Sequence, residues 1–205
     1  ALSRFLPRFL WGKKEEEKEG TAQERCQIYS VMAWMDYFMD PHCLFLDSLL
    51  ILNLAERYGC SMEVVLASMG VGLAFNTVPA SRLARYYHGR AVALAEQIQQ
   101  PIAIGQAYFG LALHEHHALG DGAMALDHYR RSARGYWEAG HLRSWASVKM
   151  AQSLLWIPEN INDRLNLCEE VIQVSRDAGD HQALGWGLFM LAATLDQAGE
   201  LETAV

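Results

Sequence analysis

The chain repeats itself, and the period of that repeat limits what it can fold into more than any other feature. Leu54-Ala55-Glu56 recurs 40 residues on as Leu94-Ala95-Glu96, and Ala139-Gly140-His141 recurs after 39 as Ala178-Gly179-Asp180. His141 and His181 are again 40 apart, and Gly120-Asp121 returns as Gly199-Glu200 after 79, or two periods. Ala125 and Ala204 keep the same offset from those two glycines. A fixed period of this size marks stacked supersecondary units, each too small to bury its own apolar face.

Within one unit the spacing predicts two helices. Ile104, Ala107, Tyr108, Leu111 and Ala112 form one apolar stripe, and Ala125, Leu126, Tyr129, Ala133, Tyr136 and Trp137 form the next. Both follow the i, i+3, i+4, i+7 rule of a half-buried helix. Gly120-Asp121 between them offers a left-handed C-cap followed directly by an N-cap, which makes a tight helix–helix turn. Ala139-Gly140 closes the second helix. The expected architecture is all-α, a right-handed solenoid of helical hairpins, with units near 21–60, 61–100, 101–140, 141–180 and an incomplete 181–205, behind a lead of residues 1–20. Pro41, Pro79, Pro101 and Pro158 fall where helices are expected to break. The chain opens at Ala1 without a methionine and stops at Val205, soon after a helix expected from Glu200, so it reads as a fragment of a longer polypeptide.

Composition removes several classes of function. Apolar residues make up 51% and charged residues 20%, as in proteins that bury a full core. A net charge of −7, with Lys and Arg scattered, argues against a nucleic-acid surface. No run of about 18 apolar residues is present, so no membrane span is expected. Ala1 to Trp11 is apolar with two arginines but lacks the order of a signal peptide. Cys26, Cys43, Cys60 and Cys168 show no ligand spacing and sit among apolar neighbours, as reduced core thiols do. That fits a cytoplasmic protein.

Several of these residues resemble the tetratricopeptide pattern. Gly120, Ala125, Tyr129 and Ser132 stand at that family's turn glycine, small residue, aromatic and small residue. Ala112-Leu113 occupies the place of the family's Leu-Gly pair, and the 40-residue period implies longer helices than the short form. Almost the whole chain is similar to the repeat region at the C-terminal end of large bacterial signalling proteins. There it follows an AAA-like ATPase module, often behind a class III adenylate or guanylate cyclase or a protein kinase domain. The stretches that carry this resemblance are Leu6-Pro7-Arg8 with Gly12-Lys13-Lys14, Leu52-Asn53-Leu54-Ala55-Glu56, Ala91 to Glu96, Leu119-Gly120-Asp121, Ala139-Gly140 to Trp145, and Ala183-Leu184-Gly185-Trp186 to Gly199. The resemblance implies a non-catalytic scaffold that binds a protein, a peptide or other domains of its own parent chain. No cyclase or ATPase motif is present, so no catalytic residue carries over. The alternative is the inducer-sensing repeat domain of an ATPase-type transcription regulator.

Candidate sites are few. In His114-Glu115-His116-His117 the first and last histidines are three apart, which suits two ligands on one helical face. The HExxH spacing is absent and no cysteine or carboxylate pair completes a set, so a solvated or groove-facing histidine pair is the better reading. Gly70-Val71-Gly72 lies inside an apolar helix pattern and reads as close packing, not as a phosphate loop. Lys13-Lys14-Glu15-Glu16-Glu17-Lys18, of mixed sign, reads as a solvated linker. No nucleophile–base arrangement emerges, and neither a metal nor a cofactor is expected. In a solenoid the first helix of each unit lines the concave face. The repeat register places Trp34, Tyr37, His114, His117, Lys149, Trp156, Trp186 and Phe189 toward that groove, where exposed aromatics with a few polar groups suit a protein or peptide.

Overall fold

The computed structural model describes residues 19–78, 80–155 and 161–199. Within them the chain is all-α, with helices paired into hairpins and no strand. The helices are α1 (Glu19–Met39), α2 (Pro41–Tyr58), α3 (Ser61–Asn76), α4 (Ser81–Ile98), α5 (Pro101–Leu113), α6 (Gly122–Glu138), α7 (Leu142–Ser153), α8 (Ile161–Asp177) and α9 (His181–Ala198). A π-helical turn, His114–Leu119, prolongs α5. No described helix is long and apolar enough to cross a membrane. The expected lead and the Lys13–Lys18 run lie outside the described residues, except for Glu19 and Gly20 at the start of α1. Pro79, Trp156, Pro158 and the segment from Glu200 also lie outside them.

Local chemistry sets the helix ends. Pro41 and Pro101 stand in the first turns of α2 and α5, where a missing N–H costs nothing. Asp40, Asp121 and Asp180 cap α2, α6 and α9, each carboxylate accepting from backbone amides of the first turn. Gly120 takes the left-handed conformation between α5 and α6 at φ 69°, as the Gly120-Asp121 pair predicts. Gly59, Gly140 and Gly179 do the same where α2, α6 and α8 end. At the matching place after α4 the residue is Gln99, at φ 56°.

The described residues fall into two compact units, one through Leu94 and one from Ala95. In the first, Cys26 of α1 packs with Ile51, Leu52 and Ala55 of α2, Val64, Ala67 and Val71 of α3, and Tyr87 of α4. Close approach is built from glycine. A Cβ on Gly70 would fall 2.2 Å from Ser48 Oγ, and one on Gly72 would fall 2.7 Å from the His88 ring. The Gly70-Val71-Gly72 stretch is therefore a packing surface. An Arg90–Glu56 ion pair ties α4 to α2.

In the second unit α5 crosses α6 where Gly105 faces Gly135 and Tyr136. Ser132 Oγ donates to the Gly105 carbonyl at 2.7 Å, so the crossing buries no unmatched hydroxyl there. Helices α8 and α9 meet the same way, with Gly187 against Ile172 and Val171. Beneath that contact Cys168 Sγ lies 3.8 Å from Thr194 Oγ1. All four cysteines are thiols, two of them buried. Burial pushes the Cys168 thiol up, which keeps it protonated and inert.

Candidate functional site

The residues expected to line one groove are placed in both units. Trp34 and Tyr37 belong to the first. They lie one turn apart on α1, stacked with ring centroids 6.4 Å apart and an interplanar angle of 11°. Both are exposed, at 40% and 39%. Stacking holds two large rings at the surface and lowers the entropy lost when a partner covers them.

The remaining described candidates belong to the second unit. Phe189 on α9 is 60% exposed, and Leu188 beside it is also open. Trp186, on the same helix, is half-buried. Lys149 on α7 is already engaged: its Nζ lies 3.0 Å from Glu170 Oε2 and 5.3 Å from the centroid of the buried Trp145 ring. That ammonium ties α7 to α8 and is not a bare charge for a ligand. Trp156 lies outside the described residues.

His114 corrects the expected groove. It is 1% exposed, inside the second unit, so it presents nothing to solvent. The cause is the π-helical turn. Its wider i→i+5 pairing moves residues three apart off a common face, and His117, exposed, points elsewhere. The amides of Gly120 and Asp121 both reach back to the Glu115 carbonyl. His117 stacks instead on His116, with centroids 4.2 Å apart. Among the described residues no group of three or more His, Cys, Asp or Glu side chains is placed to hold a metal ion.

Around this turn runs a polar network that the sequence does not mark. The Glu115 carboxylate, nearly buried, accepts from His128 Nδ1 at 2.6 Å. His128 lies beside the Tyr108 ring, centroids 5.3 Å apart. Tyr108 donates its hydroxyl to Glu96 Oε1 at 2.8 Å, and Arg131 donates to the same hydroxyl at 2.6 Å. The Arg131 guanidinium also sits 4.3 Å from the Tyr108 centroid. Burial, helped by the Glu96 carboxylate and opposed by Arg131, pushes the Tyr108 phenol up to about 12. It stays protonated at neutral pH and serves as a donor, not a base. On the other side His116 Nδ1 and Tyr129 Oη share a hydrogen bond at 3.2 Å. The network joins the end of α4 to α5, the π-turn and α6, and its charges face one another.

One concave feature lies wholly between α8 and α9. It is a cleft of about 670 Å³ lined by Glu169, Glu170, Gln173 and Arg176 on one side and Leu188 and Leu191 on the other. Its α8 wall is mostly polar, with Ile172 among the polar side chains, and its α9 wall is apolar.

These features define an all-α protein of helical hairpins with exposed aromatic side chains on its first and last described helices. No protein-family model matches the chain, and no curated protein matches it.

Proposed function

We propose that the chain is a non-catalytic interaction and regulatory scaffold. One observation supports it above the others: Trp34 and Tyr37 are stacked on α1 and about two-fifths exposed, while the helices behind them close on a buried core. Large rigid aromatics at a surface are the side chains that dominate protein interfaces. Phe189 and Leu188 on α9 offer a second such place. The resemblance to the C-terminal repeats of bacterial signalling proteins supports reading the chain as part of a cytoplasmic parent that carries a nucleotide cyclase or kinase domain and an ATPase module. The scaffold's part is to bind one state of a partner, or of its parent's own domains, better than another.

The test is cross-linking and mass spectrometry of partners captured by the wild-type chain, by Trp34→Ala/Tyr37→Ala and by Phe189→Ala. A partner lost from one variant, with circular dichroism unchanged, supports the reading. The same partners on all three remove it.

The cleft between α8 and α9 favours a second reading, an inducer-sensing domain of a transcription regulator. Gln173, Arg176, two glutamates and two leucines suit a small amphipathic molecule with a polar or cationic head. A small-molecule binding screen that Arg176→Ala leaves unchanged would remove that alternative.

A further inference from the structure

Helix α4 turns a cationic face to solvent. The chain has a net charge of −7, yet between Glu63 and Glu96 it holds no acidic residue. The only Lys or Arg side chains in that stretch are Arg82, Arg85 and Arg90, all on α4. Arg82, Arg85, Tyr86 and Gly89 recur at i, i+3, i+4 and i+7 and are all exposed. Ala84, Tyr87, His88 and Ala91, on the other side of the helix, are buried. Tyr86 is 53% exposed, and Leu83 one turn before it is 48% exposed. The Tyr86 ring meets the buried Tyr87 ring edge-on, with centroids 5.2 Å apart, which braces it against the core. Arg90 is held by Glu56 of α2. Arg82 and Arg85 have no ion-pair or hydrogen-bond partner among the described residues. Nothing stands within 4 Å of a Cβ added at Gly89, so an approaching chain can reach the helix backbone there.

We propose that this face of α4 docks an acidic protein segment, one in which two or more carboxylates flank an aliphatic or aromatic side chain. The guanidiniums of Arg82 and Arg85, one turn apart, each match a carboxylate as a forked, charge-assisted pair. Tyr86 and Leu83 supply the apolar contact that excludes water from those pairs, and tyrosine with arginine is the combination that dominates protein interfaces. A nucleic acid fits less well. Two unpaired cations on one helix of an acidic chain leave most of a phosphate backbone unmatched. An anionic membrane fits less well too, because two apolar side chains are few to hold a helix in the interface. The face lies on a different helix from Trp34 and Tyr37, so the two surfaces stand or fall separately.

Selection of a displayed random-peptide library on the full chain tests the proposal, with binding of the enriched peptides then measured by fluorescence anisotropy. The expected peptides carry at least two Asp or Glu beside a Leu, Phe or similar residue. Their affinity should fall at least about tenfold in Arg82→Ser/Arg85→Ser and in Gly89→Glu, the loss of one charge-assisted contact or more. Trp34→Ala/Tyr37→Ala should bind them as wild type does. All the α4 positions changed are exposed, so circular dichroism should match wild type throughout. No enriched peptide, enrichment without acidic residues, or acidic peptides that bind every variant alike overturns the proposal. Oligothymidylate or phosphatidylserine vesicles that bind through the same arginines, more tightly than any selected peptide, overturn it as well. So does a dimer that Arg82→Ser/Arg85→Ser dissociates, because a second copy is then the occupant.

Discussion

Gly135 meets Gly105 with no room for another carbon between them. A Cβ on Gly135 would lie 2.6 Å from the Pro101 carbonyl oxygen and 2.7 Å from the Gly105 amide nitrogen. Both contacts are backbone, which no rotamer change can relieve. The separation of α5 and α6 is thus set by two hydrogens, and Ser132 fastens the crossing one turn away.

Overpacking a rigid contact costs up to about 3 kcal/mol, so Gly135→Ala should destabilise the chain by about 2 kcal/mol net. The better helix propensity of alanine recovers only about 1 kcal/mol. Gly185 is the control. It also lies within a helix, but nothing stands within 4 Å of an added Cβ. Gly185→Ala should stabilise by about 0.5–1 kcal/mol. Urea unfolding of both variants checks the contrast. Shifts of the same sign would mean the close crossing does not carry the energy assigned to it.

Gln99 is the one described non-glycine residue at positive φ, and it sits where the other hairpins place Gly59, Gly140 and Gly179. A left-handed conformation costs an ordinary residue about 1–2 kcal/mol. Its side chain offsets part of that by donating to the Glu96 carbonyl and carboxylate. Gln99→Gly should remove the strain, at the expense of greater freedom in the unfolded chain, and stabilise by about 0.5–1 kcal/mol. A fall in the denaturation midpoint would show that the Glu96 contacts outweigh the strain.

The hairpins were legible from sequence because a helix pair with its turn is a local object. Gly120-Asp121 states a C-cap and an N-cap in two letters, and the structure places both. The π-turn at His114–Leu119 was not legible, since no local residue pattern separates i→i+5 from i→i+4 pairing, and the Glu115–His128 contact beside it joins residues on two helices. An ordinary helix drawn through HEHHAL puts His114 and His117 on one face, and the widened turn separates them. Likewise Gly105 and Gly135 look like helix weaknesses until their helices are seen to touch there. Trp34, Tyr37 and Phe189 were readable as surface aromatics. The engagement of Lys149 by Glu170 was not, because it joins residues 21 apart.

Asp180 caps α9 through the amides of Gln182 and Ala183, both at 3.1 Å, and accepts from Arg143 Nε at 2.8 Å. Burial alone would raise its carboxyl. The Ala183 amide and the Arg143 guanidinium outweigh that and hold it below the usual carboxylate range. A folded-state pKa depressed in this way contributes stability that is fully present above the unfolded value near 3.8 and is lost as pH falls through the folded one. Asp180→Ala should cost about 1–2 kcal/mol at pH 7, the scale of a lost N-cap. The gap from wild type should close as pH drops below 3.8. A gap constant down to pH 2 would assign the loss to something other than the charged cap.

The stacked imidazoles of His116 and His117 should make the π-turn sensitive to mild acid. Burial first, and the neighbouring His117 second, hold the His116 pKa below its ordinary 6.5. Protonation is therefore easier in the unfolded chain. The stability tied to neutral His116 is complete above about 6.5 and drains away as pH falls toward the depressed folded value. At 4.2 Å between centroids, two charged rings would repel across a contact that joins the turn to Tyr129. Replacing His117 with serine removes the second cause and leaves the first. The His116 midpoint, followed by imidazole carbon-bound proton shifts, should then rise while staying below 6.5. The loss of stability between pH 7.5 and 5.5 should shrink in the same variant. Identical midpoints in wild type and His117→Ser would leave burial as the sole cause and deny the stacked pair any part in the acid response.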